Sequence, residues 1–440
     1  MKAKRTKIIR FISVFLFLCI VFSITAGAEQ TLDGLIDRAG QFALYNIEND
    51  RILLSKNIDR VIFPGSTVKL MSGLIICEKL GDRADEKVTV TASMLSGVPL
   101  GKSIGLEPGQ SLTIKNLMYA AFSGGYNDAI SVLAYIASGS TAKFVTEMNE
   151  RAKQLGMSST RYTNVTGFDS PSQTSTMRDI IKVAKATAQN GLYVETSSEY
   201  NCKITFSDGT SKTSYGTNET LNVNAPDYYC RSASGLNSGS TDEAGYCLAT
   251  RGVYKNAEYL FVVTGCEENS TRFLLAKEAL QYAYDNYGYN VLLDTGSVVG
   301  ESPIDLSASS ETATLVLTED LRYFGQIGGV RPNLEYRLVL YNEKLTAPIK
   351  SGDTVGKYIA WYGDEIYGTA DVTVKAEIEK NGFLAFMDAM KNYLTGRAFV
   401  ATIIVGAVLA IGAVLLPKLS LIARQKKRRY VRHRGGFRLK

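Results

Sequence analysis

Apolar and polar residues alternate early in the chain, through residues 41–47 and again through residues 52–54. A period of two indicates half-buried strands, and Asn49-Asp50 between them is typical of a turn, so a β-hairpin is predicted. An apolar run containing Leu70, Met71, Leu74, Ile75 and Ile76 follows Pro64. It predicts a buried helix that begins near Ser66.

The pattern changes character twice beyond this helix. A helical region contains an amphipathic helix over residues 144–155, residues 200–230 are polar and turn-rich, and strand character returns over residues 244–266. A helix over residues 273–284 closes this part. Beyond Gly288, short β-rich runs separated by turn residues predict a small all-β domain; these runs are residues 312–318, 334–341, 354–362 and 371–378.

Both ends of the chain carry membrane-related patterns. Residues 1–28 combine basic residues, an apolar run and Ala26-Gly27-Ala28, which is typical of a cleaved signal peptide. Residues 398–417 hold no charged residue and are long enough to span a bilayer, and the basic tail at 418–440 is then expected in the cytoplasm. Residues 381–397 form an amphipathic helix that lies either on the membrane surface or against the β domain.

The charge follows the same division. The chain has 49 basic and 43 acidic residues, a net charge of +6, but 15 of the basic residues lie in the two terminal segments. Residues 29–417 therefore carry a net charge of −9. This exported part does not have the charge of a nucleic-acid-binding protein.

Histidine and cysteine usage excludes several kinds of chemistry. The single histidine, His433, lies in the tail, so Ser-His-Asp catalysis and histidine-bearing metal sites are excluded from the exported part. No cofactor is indicated. Five scattered cysteines remain after the signal segment, which predicts mostly buried thiols, with a Cys202–Cys230 bridge as an open alternative.

Ser66 and Lys69 are the first candidates for catalysis. Residues three apart share a helix face, so the lysine amine can lie beside the serine hydroxyl and act as its general base. The amine can do so only where burial or positive charge lowers its pKa. The spacing also arises by chance: Ser140 and Lys143 repeat it, and there Ser140 has the position of an ordinary N-cap.

Two further stretches accompany this pair, and together the three form a known set. They are residues 123–129, Ser-Gly-Gly-Tyr-Asn-Asp-Ala, and residues 234–247, which begin Ser-Gly-Leu-Asn-Ser-Gly-Ser-Thr. With them the chain resembles the serine D-alanyl-D-alanine carboxypeptidases, the low-molecular-mass penicillin-binding proteins. The resemblance extends to Met148-Asn149, Leu155-Gly156-Met157, Thr160, Asn164 and Gly167, and to residues 346–356.

The resemblance implies a fold and a domain order. The expected fold is an α/β (α+β) penicillin-binding/β-lactamase-like transpeptidase domain, followed by a small all-β domain and a C-terminal transmembrane helix. The expected segments are a signal peptide (1–28), a catalytic domain (29–288), a β domain (289–380), an amphipathic juxtamembrane helix (381–397), a membrane span (398–417) and a basic tail (418–440).

The resemblance also implies site residues and partners. The partners are peptidoglycan stem peptides, β-lactams as acylating inhibitors, and the membrane. Asn127 is expected to hold the substrate amide, Arg272 the substrate carboxylate, and the backbone N–H groups of Ser66 and Ser240 the oxyanion. The expected catalytic residues are Ser66, Lys69 and Asn127, and the expected substrate-binding residues are Ser123, Asn237, Ser238, Gly239, Ser240 and Arg272.

Two departures from the family pattern weaken this expectation. Gly125 stands where the second motif has serine, so Ser123 substitutes only if the loop turns it inward, and Asn237 stands where the third motif has lysine. Losing that cation should raise the pKa of Lys69 relative to the family. The sequence thus predicts a carboxypeptidase of reduced activity. An inactive homologue that binds peptidoglycan or a cell-wall partner is the alternative, and a β-lactamase is a third option.

Overall fold

The computed structural model describes residues 31–98, 101–309, 311–330, 333–363 and 365–434. The predicted signal peptide lies outside these residues, as does the end of the basic tail. The described chain divides into two compact units, one holding the residues up to Gly288 with 325–328, the other the remainder. Each is described separately.

The first unit is built on a five-stranded antiparallel sheet that includes the predicted hairpin. The sheet has the order β2-β1-β11-β10-β9. Its strands are β1 (Gln41–Asn46), β2 (Arg51–Lys56), β9 (Ala233–Thr241), β10 (Gly245–Tyr254) and β11 (Ala257–Cys266). Short two-stranded pairs surround it: β3 (Val61–Ile62) with β6 (Ser175–Thr176), β4 (Lys87–Thr89) with β5 (Ser111–Thr113), and β7 (Asn201–Thr205) with β8 (Ser211–Tyr215).

Helices cover both faces of this sheet. Successive residues of β11, from Tyr259 to Val263, are all fully buried although they point to opposite faces. The helices are α1 (Leu32–Asp37), α2 (Val68–Leu80), α3 (Ile114–Phe122), α4 (Asn127–Ser138), α5 (Thr141–Gln154), α6 (Met177–Ala188), α7 (Gly191–Ser198) and α8 (Asn269–Asn286). Of these, α6 and α8 pack against β1 and β11.

Helix α2 lies at the centre of the first unit. Every residue from Val68 to Cys77 is buried, and α3 to α7 all pack around it. A helix that is apolar on all sides is stable only when it is buried on all sides. The predicted buried helix after Ser66 is therefore confirmed, and it holds its N-terminus in a fixed place.

The second unit contains the predicted β-rich segment. Its six-stranded sheet has the order β16-β18-β19-β14-β13-β17 around a core that includes Leu315, Leu321 and Val372. The strands of this part of the chain are β12 (Tyr287–Leu293), β13 (Val298–Asp305), β14 (Thr312–Leu317), β15 (Leu321–Gln326), β16 (Glu335–Leu340), β17 (Leu345–Thr346), β18 (Gly356–Tyr362) and β19 (Glu365–Val374).

Two helices end the described chain, α9 (Gly382–Thr395) and α10 (Arg397–Arg434). No residue of α9 is buried, and Phe383 and Phe386 are 71% and 60% exposed, so packing of α9 on the β domain is not observed. Among the described residues, one continuous helix is long and apolar enough to cross a membrane, the Arg397–Lys426 part of α10. The predicted fold class, a mixed α/β unit followed by a small β unit and an apolar C-terminal helix, is confirmed.

The cysteines are free thiols in the described structure. Four of them are buried and Cys230 is partly buried. The expectation of mostly buried thiols is confirmed, whereas the alternative Cys202–Cys230 bridge is not formed. Burial raises the pKa of the Cys247 thiol to about 12, which makes it unreactive at neutral pH.

Candidate active site

Ser66 lies in a tight turn that leads directly into the central helix. The turn, Gly65–Thr67, is a short 3₁₀ segment called here the Ser66 turn. The Thr67 hydroxyl donates a hydrogen bond of 2.6 Å to the carbonyl of Pro64, which fixes the entry to α2. Ser66 is 4% exposed, and its Oγ has no hydrogen-bond partner among the described residues. A buried hydroxyl without a partner is unusual outside functional sites.

Two glycines allow other segments to approach the Ser66 turn closely. A Cβ atom on Gly239 of β9 would lie 2.6 Å from Ser66 Cβ, and one on Gly167 would lie 2.0 Å from the Gly65 carbonyl oxygen. The side chain of Asn164 holds the second segment, because its Oδ1 accepts the Gly167 N–H at 2.8 Å. The positions that carried the family resemblance thus enclose the serine on two sides.

Lys69 lies one turn along α2 from Ser66 and is 7% exposed. Its Nζ donates a 2.7 Å hydrogen bond to the carbonyl of Gly125. Burial, and secondarily the positive charge of Lys102, lower the pKa of Lys69 to about 8, against an opposing effect of Asp128. The condition for lysine to act as a base, a lowered pKa, is met even though the third motif has no lysine.

The second motif presents Asn127 and not Ser123 to the space in front of Ser66. Asn127 is the first residue of α4 and lines the same cavity as Ser66 and Lys69. Ser123 is buried, and its hydroxyl donates to the carbonyl of Glu199, so it faces away from that cavity. Gly125 has φ of 72°, a left-handed conformation that suits glycine.

The third motif lies on β9, and only part of it lines the Ser66 cavity. Ser238 lines the cavity, and its hydroxyl donates to the carbonyl of Thr217 at 2.8 Å. Asn237 is 2% exposed, its Oδ1 has no partner among the described residues, and it lines a narrow space shared with Ser123. The strand thus brings Ser238, Gly239 and Ser240 to the Ser66 cavity. Asn237 shares the strand face of Gly239, but its short side chain does not line the cavity.

Arg272, on α8, reaches the back of the same cavity. Its Nη1 donates to the carbonyls of Gly239 at 2.6 Å and Cys247 at 2.9 Å, and its Nη2 donates to Asn269. These bonds clamp β9 and β10 behind the Ser66 turn. Both terminal nitrogens of Arg272 are bonded to the protein, so they are not free to form a bidentate pair with a substrate carboxylate. Arg272 instead contributes its positive charge to the cavity wall.

These side chains surround one cavity of about 660 Å³. Two of its lining residues were not predicted from the sequence. Lys102 places a second lysine near Lys69. Thr217 bridges the second and third motifs, since its hydroxyl donates to the carbonyl of Ser238 at 3.0 Å and its backbone N–H to the carbonyl of Ser123 at 3.1 Å. Neither has a spacing relation to the motifs that the sequence could reveal.

The geometry fits nucleophilic chemistry on a bound acyl group. A serine hydroxyl with no internal partner, a buried lysine of lowered pKa on the same helix, and an amide side chain share one cavity. An activated nucleophile beside its base is the arrangement that acyl transfer through a covalent intermediate requires. No redox group or metal is needed for that chemistry.

Family comparison decides between the classes of protein that could carry such a site. The sequence profile described as D-alanyl-D-alanine carboxypeptidase matches residues 30–268, more than half of the chain. The chain belongs to the D-alanyl-D-alanine carboxypeptidase family. A second profile, the C-terminal domain of penicillin-binding protein 5, matches residues 287–380.

Individual relatives of the family cover most of the chain. The D-alanyl-D-alanine carboxypeptidase DacF of Bacillus subtilis is 24% identical over 355 residues, 80% of this chain and 89% of that protein. DacC of Escherichia coli is 25% identical over 392 residues, 84% and 91% of the two chains. Both alignments span most of this chain and most of the relative.

Solved structures show the same fold. Penicillin-binding protein 5 of Haemophilus influenzae superposes with a TM-score of 0.56 at 22% identity and covers 78% of this chain and 98% of that one. A peptidoglycan synthesis regulatory factor, PBP3 of Streptococcus pneumoniae, gives a TM-score of 0.64 at 19% identity, with 78% and 99% covered.

Proposed function

We propose that the protein is a serine-type carboxypeptidase that removes the terminal D-alanine from peptidoglycan stem peptides. Ser66 Oγ attacks the carbonyl carbon of the penultimate residue while its proton passes to the Lys69 amine. The C–N bond then breaks, and the leaving D-alanine takes that proton. Water hydrolyses the acyl-serine in a second step that regenerates Ser66.

One observation carries this proposal: Lys69 is buried in the Ser66 cavity with its pKa lowered to about 8. At pH 7 roughly one lysine in ten is then neutral, compared with fewer than one in a thousand for an ordinary lysine. A neutral amine keeps two N–H donors and a lone pair, so Lys69 can donate to the Gly125 carbonyl while its lone pair accepts the Ser66 proton. Catalytic hydrogen bonds commonly tighten only when substrate binds.

Substrate positioning is assigned to polar groups of the same cavity. Asn127 holds the substrate amide, Ser238 meets the substrate carboxylate, and the backbone N–H groups of Ser66 and Ser240 stabilise the oxyanion. Arg272 supplies positive charge for the substrate carboxylate from behind β9. Donors fixed before the reaction stabilise the developing charge without reorganisation.

The second candidate function is that of an inactive homologue that binds peptidoglycan or a cell-wall partner. It is favoured by the second motif, because Gly125 offers no hydroxyl and the hydroxyl of Ser123 is bonded to Glu199. The proton network of the site then consists of Lys69 alone. We therefore expect activity below that of relatives with a complete second motif.

Release of D-alanine from a stem pentapeptide distinguishes the two candidates. The full-length protein in detergent is expected to release D-alanine, Ser66→Ala to release none, and Ser140→Ala, which alters the other Ser-x-x-Lys, to match the wild type. A wild type that binds the pentapeptide in calorimetry without releasing D-alanine at any pH from 6 to 10 supports the second candidate and refutes the first.

We also propose that α10 anchors the protein in the cell membrane, with its main units outside the cytoplasm and the basic tail inside. The apolar Arg397–Lys426 segment and the exposed apolar residues of α9 support this, and α9 is then placed at the membrane surface. Protease added to intact spheroplasts should remove the large unit, and its full protection would refute the topology.

A further inference from the structure

The cavity in front of Ser66 contains a positive charge that the family motifs do not account for. Its lining includes three cationic side chains, Lys69, Lys102 and Arg272. Lys69 and Arg272 are buried and bonded to backbone carbonyls. Lys102 lies at the cavity edge with an exposed side chain, although partial burial of its ammonium lowers its pKa. None of the ion pairs in the described part of the chain involves it.

The fold holds Lys102 in place from both sides. The Asn127 N–H donates a 2.8 Å bond to the Lys102 carbonyl, and the Lys102 ammonium lies 4.9 Å from the centre of the Tyr126 ring. The carboxylate of Asp128 then binds the next segment, residues 103–106, through one hydroxyl and three backbone N–H groups. Lys102 is therefore tied to the start of α4, next to the Gly125 carbonyl that holds Lys69.

Several charged groups face Lys69 from the surrounding elements. Lys102 faces it from the loop before β5, and Asp128 faces it from α4 with the opposite effect. Arg272 lies behind β9. The acidic residues of the cavity lie on the other segments of its rim: Asp169, Asp242 and Glu243. Among these groups, only Lys102 is a cation that acts on Lys69 and whose ammonium is not hydrogen-bonded to a backbone carbonyl of the cavity wall.

We propose that Lys102 takes the place of the cation missing at Asn237, as a positioning residue that keeps Lys69 in its neutral, proton-accepting form. The inference rests on the proposed function, because a neutral Lys69 matters only if it takes the proton of Ser66. A like charge disfavours protonation of its neighbour, so the direction of the effect is fixed. The replacing cation, Lys102, lies in the loop before β5, whereas the missing cation belongs to the third motif on β9.

The pH profile of β-lactam acylation tests the proposal in the full-length protein. Removing the charge in Lys102→Met should raise the midpoint of the ascending, acid-side limb, where Lys69 loses its proton, by about 0.5–1 pH unit, since the side chain is partly screened by solvent. Acylation at pH 7 should fall about 3- to 10-fold and recover as the pH approaches 10. Lys102→Arg should keep the wild-type midpoint, and Lys143→Met, which removes an exposed lysine on α5, should change nothing.

A loss of rate that is equal at every pH would overturn the proposal, because it would assign Lys102 to substrate binding or to structure. An unchanged profile in Lys102→Met would overturn it as well. If Lys102→Arg does not keep the wild-type midpoint of the acylation pH profile, the effect is not due to the charge at position 102.

A direct titration of Lys69 separates this inference from the proposed function. In protein labelled with ¹³C at lysine Cε, the Lys69 resonance is assigned by its absence in Lys69→Arg. Its midpoint should rise by the same 0.5–1 unit in Lys102→Met. A shift in a protein that acylates nothing supports the electrostatic role while refuting the enzyme, and an unshifted midpoint in an active enzyme refutes the role alone.

Discussion

Gly239→Ala is the substitution that should separate the geometry of the Ser66 turn from the stability of the fold. Gly239 lies on β9 opposite Cys247 of β10, and its carbonyl is held by Arg272. An added Cβ would lie 2.6 Å from Ser66 Cβ and 2.9 Å from Ser66 Oγ. Because the strand is clamped from behind, the serine has to move.

The added Cβ displaces the Ser66 side chain. Ordinary Cβ contacts begin at 3.4 Å, so the Ser66 side chain must shift by about 0.8 Å or rotate. Overpacking of this size costs about 1–3 kcal/mol of unfolding free energy. A displacement of about 1 Å at the reacting atom costs on the order of 100-fold in rate. We therefore expect acylation to suffer far more than stability.

The assay is the second-order rate of acylation by a fluorescent β-lactam, with thermal unfolding measured on the same samples. Gly191→Ala serves as the matched control, since its Cβ would meet nothing within 4 Å. Gly239→Ala should lose about 100-fold in rate and stay folded. A rate within threefold of the wild type would refute the claim that Gly239 is required for the position of Ser66.

Four further substitutions test the surroundings of the site. Gly167→Ala should lower both the melting temperature and acylation, because its φ is 83° and its Cβ would meet backbone at 2.0 Å; a melting temperature equal to that of the wild type would contradict this. Ser123→Ala should change D-alanine release less than Asn127→Ala does, since only the latter side chain faces the cavity, and steady-state kinetics that rank them the other way would refute the assignment. Asn237→Lys should move the midpoint of the acylation pH profile downward, because a second cation further disfavours protonation of Lys69, while a midpoint that stays or rises would show that the new charge does not reach it.

Much of the fold can be predicted from runs of apolar residues in the sequence. The buried helix α2 and strand β11, around residues 260–263, contain enough apolar residues to be predicted from the sequence. The structure confirms both. The β7–β8 hairpin was missed within the polar stretch at 200–230. Its first strand buries only Cys202 and Ile204, so its signal is too short to separate from a loop.

The site was predictable only where its residues are local to one another. Ser66 lies in the turn that leads directly into the helix holding Lys69, so their spacing carried the information. The direction of Ser123 depends on how α3 ends, and whether Asn237 lines the cavity depends on the packing around β9, so neither could be deduced from a motif. Lys102 joins the site through a tertiary bond to Asn127, which no sequence spacing reports.

The acylated residue is the most direct test of the account. The full-length protein is labelled with a β-lactam, digested, and its adduct located by mass spectrometry. The account predicts one adduct, on Ser66, that forms faster as the pH rises through about 8 and is absent from Ser66→Ala. An adduct on Ser123 or Ser140, or labelling that persists in Ser66→Ala, would contradict the assignment of Ser66 as the nucleophile.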